Sequence, residues 1–168
     1  PVLNLRLVAK NKVFGLSNLA AFINYAATAG VTFLISLYLQ YVKGFDAKTA
    51  GVILVAQPAI MALLSPFAGR LSDRVEPRIV ASAGMALTTI GLVLLAFLTE
   101  ATPTEAVIGA LVILGAGFGL FSSPNTNAVM SSVGPDQYGT ASAFSVTMRL
   151  VGQVFSMGIV TLLLATQI

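Results

Sequence analysis

The sequence predicts an all-α membrane protein, and three observations carry that expectation. Of 168 residues, 57% are hydrophobic and only 9% charged, with a mean hydropathy of +0.92. Water-soluble domains carry about 25% charged residues, so this chain lacks the charge to cover a soluble globule. Five apolar runs each reach the ~20 residues that a helix needs to cross a ~30 Å hydrocarbon core. No ten-residue alternating segments suggest a barrel, and in lipid only helices or closed barrels satisfy the backbone.

Residues 1–13 form a short lead-in, expected to be cytoplasmic, and 14–168 a transmembrane helical bundle. The runs lie at about 14–41, 48–68, 78–99, 103–132 and 138–165. Lys43-Gly44-Phe45-Asp46 closes the first run, and Gly134-Pro135-Asp136 separates the fourth from the fifth. Pro103 stands where a helix can start without losing a hydrogen bond. Three bases before a full-length span argue against a cleaved signal peptide.

Arg6, Lys10 and Lys12 precede the first run and Arg70, Arg74 and Arg78 follow the second, against Lys43 and Lys48 on the other side. That excess places the N-terminus and the 69–78 loop in the cytoplasm, and the expected location is a plasma (inner) membrane. The bases sit at the ends of apolar runs, so topology explains them and nucleic acid is not an expected partner. With neither Cys nor His, thiolate catalysis, Cys/His metal sites and histidine acid–base chemistry are excluded. No cofactor and no enzymatic activity are expected. The ending at Ala165-Thr166-Gln167-Ile168, without a polar tail, reads as a truncation.

Two polar stripes break the apolar runs. On the fifth, Ser142, Ser145, Arg149, Gly152 and Ser156 recur every three or four residues and share one helix face. Arg149 lies ~16 Å into the span, where an arginine costs at least about 2.5–3.5 kcal/mol, so it should face a cavity or a partner. The first run carries Asn18, Tyr25, Thr28, Thr32 and Ser36, equally suited to lining a wet cavity or to hydrogen bonding between helices. Asn125, just after Pro124 in the fourth run, joins the cavity candidates; Gly115, Gly117 and Gly119 there suit close helix packing. All six acids lie near run ends, so no mid-membrane proton carrier is evident.

The loop Gly69-Arg70-Leu71-Ser72-Asp73-Arg74-Val75-Glu76-Pro77-Arg78 is the most informative stretch. Read chemically, it is a tight turn whose charges can pair with one another or with helix ends: Arg74 and Arg78 with carboxylates or helix C-termini, Asp73 with a helix N-terminus. It resembles the G-x-L-x-D-R-x-G-R-[KR] loop of the major facilitator superfamily, in the degenerate form of that fold's second half. Gly69, Leu71, Asp73, Arg74 and Arg78 match; Glu76 and Pro77 depart from it. Leu39-Gln40-Tyr41-Val42-Lys43-Gly44, Ala50-Gly51, Pro58, Gly115 to Gly119 with Pro124, and Gly139-Thr140-Ala141-Ser142-Ala143 with Arg149 and Gly152 follow the order of its multidrug proton antiporters.

The resemblance implies five helices of a six-helix C-terminal bundle, the family's seventh through eleventh. It also implies a secondary transporter that exports hydrophobic drugs or small molecules by alternating access, with protons as a candidate coupling ion. The chain would be incomplete without the N-terminal half of the transporter. Gly69, Asp73, Arg74 and Arg78 would form its cytoplasmic gate. The alternative from another class is a helical membrane scaffold whose polar stripes bind partner helices.

Overall fold

The computed structural model describes residues 11–166. Arg6, Lys10 and the rest of the expected lead-in up to residue 10 lie outside the described residues, as does the end of the chain after Thr166. Helix α1 runs Lys12–Leu37 and continues as a π-helical segment, Tyr38–Val42. Then come α2 (Ala47–Leu54), α3 (Ala56–Ser72), α4 (Pro77–Ala96) and α5 (Thr104–Ser131). A 3₁₀ turn, Pro135–Gln137, leads into α6 (Tyr138–Thr166). Among the described residues no strand occurs, and five helical stretches are long and apolar enough to cross a membrane.

The second run, expected as one helix, is broken at Val55 into α2 and α3. Pro58 is the physical reason: it has no N–H for the Leu54 carbonyl, and its ring crowds that same group. The break is slight, since Val55 still donates to Gly51 O at 3.1 Å and Ala59 to Val55 O at 3.0 Å. Pro124, by contrast, is absorbed inside an unbroken α5.

The described residues divide into two compact units. One comprises 32–124: the end of α1, all of α2 to α4, and α5 as far as Pro124. Here α4 and α5 meet through glycines. A Cβ on Gly84 would lie 2.6 Å from the Phe121 nitrogen, and one on Gly117 would lie 2.5 Å from the Thr88 nitrogen and 2.8 Å from Gly84 O. Thr88, buried in this contact, returns its hydroxyl to Gly84 O at 3.0 Å. Gly115 stands against the Gln57 carbonyl and Gly119 against Met61 and Leu64, so α3 packs on the opposite side of α5.

The far end of α1 in this unit is tied to the turn between α4 and α5. Tyr38 donates to Thr99 O at 2.7 Å, and Lys43 Nζ donates to Glu100 O and Thr102 O. Gly44 takes a left-handed turn at φ 70, and Asp46 opens α2. The Thr49 hydroxyl donates to the Asp46 carboxylate at 2.5 Å, which holds that carboxyl below its ordinary value. Its contribution is thus present above the unfolded carboxylate range and fades as pH falls through the lowered one.

The other unit comprises residues 11–31 and 125–166. Phe14, Val129, Ala141 and Phe144 form its core, flanked by Met130, Val133 and Met148. The Phe14 and Phe144 rings stack at a tilt, with centroids 5.3 Å apart. Asn11 caps α1 by accepting the Phe14 N–H at 3.1 Å, and donates to Ser132 O at the end of α5.

Replacing Gly117 with leucine forces α4 and α5 apart, because both atoms it would strike first belong to Thr88 in the opposing helix. Overpacking of this kind costs about 1–3 kcal/mol. The expected result is a melting temperature in detergent lowered by several degrees, and an unchanged value for Gly117→Leu would refute the close approach.

Candidate functional site

From Ser145 to Ser156 the polar stripe on α6 lies along the seam where α6 packs on α1, while Ser142 is exposed. Ser145 donates to Asn18 Oδ1 at 2.7 Å, while Asn18 Nδ2 donates to Phe14 O at 2.8 Å. Two turns further, a Cβ on Gly152 would lie 2.7 Å from Phe22 O and 3.2 Å from the Ala26 nitrogen, so the backbones touch. Near the top of the seam the Gly30 N–H reaches Ser156 Oγ at 2.8 Å, and a Cβ on Gly30 would lie 2.5 Å from Val160 Cγ2. The Phe22 and Phe155 rings meet at 6.1 Å beside it.

Arg149 sits in the middle of this seam. It lies eleven residues beyond Tyr138, the first residue of α6, and so about 16 Å along the helix. Its guanidinium carbon lies 5.9 Å from the centroid of the Tyr25 ring, within cation–π range. Among the described residues it forms no ion pair; the one salt bridge joins Arg78 to Glu76.

The other expected cavity residues are dispersed. Asn18 and Thr28 are buried, and Thr28 returns its hydroxyl to Asn24 O at 2.7 Å, so both are engaged in packing. Asn125 is also buried. Thr32 and Ser36 belong to the other unit: Thr32 faces Gln57 Oε1 at 3.4 Å, and Ser36 receives the Gln40 amide at 3.0 Å. Asn24 is 3% exposed, and its Oδ1 has no hydrogen-bond partner among the described residues.

The 69–78 turn is built by helix-end geometry. Gly69 allows α3 to approach α5, since a Cβ there would lie 3.0 Å from Ser123 Oγ. Arg74 and Val75 both donate their N–H to Leu71 O, and Pro77 starts α4. Arg78 pairs with Glu76, as the charge pattern suggests. Asp73 does not meet the N-terminus of α4. It is the C-cap of α3, Glu76 occupies the N-cap of α4, and the Asp73 carboxylate is exposed without a partner among the described residues.

Sequence reasoning passed over Gln57 and the Tyr38–Lys43 tie. Gln57 is a lone polar residue before a proline with no periodic companion. The tie joins residues about sixty positions apart, which no local pattern records.

A family model described as the Major Facilitator Superfamily matches residues 2–167. The chain belongs to that superfamily. Together with its five spans, this makes it an integral membrane protein. It is 35% identical over 140 residues to the riboflavin transporter RibZ of Clostridioides difficile, covering 83% of this chain and 31% of that protein. It is 28% identical over 141 residues to the multidrug resistance protein Stp of Mycobacterium tuberculosis, covering 84% and 26%. The cephamycin export protein CmcT of Amycolatopsis lactamdurans is 30% identical over 150 residues, covering 86% and 30%. The chain thus spans about a third of the length of the curated relatives it matches.

Replacing Ser145 with alanine strands Asn18 Oδ1 in a buried setting. The loss should be about 1 kcal/mol, the scale of hydrogen bonds between membrane helices, read as a modest drop in melting temperature. Ser145→Thr, which keeps the donor, should recover most of it; equal losses in both variants would refute the hydrogen bond as the cause.

Proposed function

We propose that this chain is part of a secondary active transporter that exports hydrophobic drugs or other small molecules by alternating access. The observation that carries this reading is the near-complete match to the superfamily, shared with proteins named for riboflavin transport, multidrug resistance and cephamycin export. In this reading residues 14–168 are a transmembrane bundle supplying one wall of the substrate path. The opposing wall comes from an N-terminal half outside this chain, and no enzymatic step is involved.

In the unit of residues 11–31 and 125–166 the substrate-facing side chains are then Tyr25 and Arg149, while Thr32 and Ser36 are separate candidates within the other unit. Asn18, Thr28 and Asn125 set the helix geometry that presents them. Gly69, Asp73, Arg74 and Arg78 form the cytoplasmic gate, with the N-terminal end of the chain on that same side of a plasma or inner membrane. The exposed Asp73 carboxylate and Arg74 guanidinium suit a gate, since each is available to a partner that comes and goes. The acids of this chain lie near helix ends, so a proton carrier, if protons drive export, belongs to the other half.

The test is transport by the complete protein in proteoliposomes, with a panel of hydrophobic dyes and drugs of differing charge. Failure to move any of them under an imposed proton gradient would count against drug export. Asp73→Asn should slow transport several-fold with substrate affinity nearly unchanged, measured by equilibrium binding; parental rates would remove the loop from the gate. Arg149→Gln should insert and fold but lose most transport, and normal transport by it would refute an electrostatic role.

A further inference from the structure

We propose that Arg149, backed by the Tyr25 ring, is a receptor for one carboxylate group within the membrane-spanning region. This assignment deepens the transport reading and rests on it. Four observations converge on it. Arg149 lies about 16 Å along α6, too deep to reach an interface easily, where an unneutralised arginine is costly. No carboxylate neutralises it among the described residues, and the acids of the whole sequence lie near helix ends. The contact of Gly152 with Phe22, Tyr25 and Ala26 fixes α6 against α1, and the Arg149 guanidinium lies beside the Tyr25 ring. Ser145 and Ser156, on either side of it along the seam, are already engaged with Asn18 and Gly30 and are not turned toward it.

The Arg149 guanidinium carries five N–H donors in a planar fork, and a carboxylate accepts two of them in bidentate fashion. Stoichiometry of charge selects the ligand class. The other eight cations of the sequence lie before α1, in turns, or in the first or last turn of a helix, so Arg149 is the one positive charge in the middle of the seam. A carboxylate cancels it, whereas a doubly charged phosphate would remain half-neutralised in a medium of low polarity. The carboxylate can be carried by the transported molecule or by a side chain outside this chain.

Melting curves of the purified complete protein, at fixed ionic strength, separate the two sources without needing transport. Benzoate at millimolar concentration is the probe and benzyl alcohol the neutral control. If the group is carried by the transported molecule, benzoate raises the melting temperature of the parent by about 2 °C or more. Benzyl alcohol does not, and Arg149→Gln abolishes the shift. If a protein side chain supplies the carboxylate, benzoate shifts neither form. Arg149→Gln then leaves that acid charged and unpaired, so the stability gap between parent and variant is wide at pH 8 and narrows at pH 5 as the acid protonates. A variant with neither a lost benzoate shift nor a pH-dependent gap overturns the proposal. Should Arg149→Gln fail to fold, Arg149→Lys keeps the charge without the fork. It should then show a reduced benzoate shift or a pH-dependent gap, and parental behaviour in both overturns the proposal. Because transport is not the readout, loss of the transport reading leaves these outcomes distinguishable.

Discussion

Hydrocarbon offers no hydrogen-bond partners, and every other feature of this protein follows from that constraint. An unpaired donor or acceptor in lipid costs several kcal/mol, so each run closes its own backbone ladder as a helix. The polar side chains then satisfy themselves within the helix or across a seam. Thr28, Thr88 and Ser65 return their hydroxyls to carbonyls one turn back. Asn18 and Ser145 satisfy one another, and Ser156 serves Gly30. What remains unsatisfied is therefore informative: among the described residues, Asn24 Oδ1 is a buried acceptor without a partner and Arg149 has no ion pair.

Because lipid tails are as apolar as the side chains they replace, the hydrophobic effect does little to press one helix against another. Contact area and close approach take over that role. Gly84 and Gly117 bring α4 and α5 together in one unit, and Gly30 and Gly152 bring α1 and α6 together in the other. In each, a glycine lies against a backbone or side-chain atom that a Cβ would displace. Gly152, three residues from Arg149, also brings the α6 backbone against Tyr25, where a Cβ would lie 3.2 Å from Tyr25 Cβ.

The charged groups divide into two populations with different physical duties. Several at helix ends are paired locally or with carbonyls: Arg78 with Glu76, Lys43 with the turn before α5, Asp46 with Thr49. Such exposed pairs contribute little to stability; their value lies in orientation and in shaping turns. Arg149 stands alone in the other population, and its cost in the membrane interior is the reason to assign it a task.

The periods of apolar and polar residues determined, without coordinates, that this is an all-α membrane protein with five spans. They also placed Ser145, Arg149, Gly152 and Ser156 on one face, because a helix repeats every 3.6 residues whatever surrounds it. The loop motif and the order of short matches pointed to the superfamily. Only the tertiary structure decided which helix that face meets, and that Asn18 and Thr28 of the first stripe are engaged in packing while Tyr25 lies beside the arginine. It alone showed Asp73 as a helix C-cap, Gln57 against Gly115, and Lys43 reaching the turn before α5. These are contacts between residues far apart in the chain, or competitions between neighbouring groups for the same hydrogen bond. Periodicity records which side a residue faces and carries no information about what stands there.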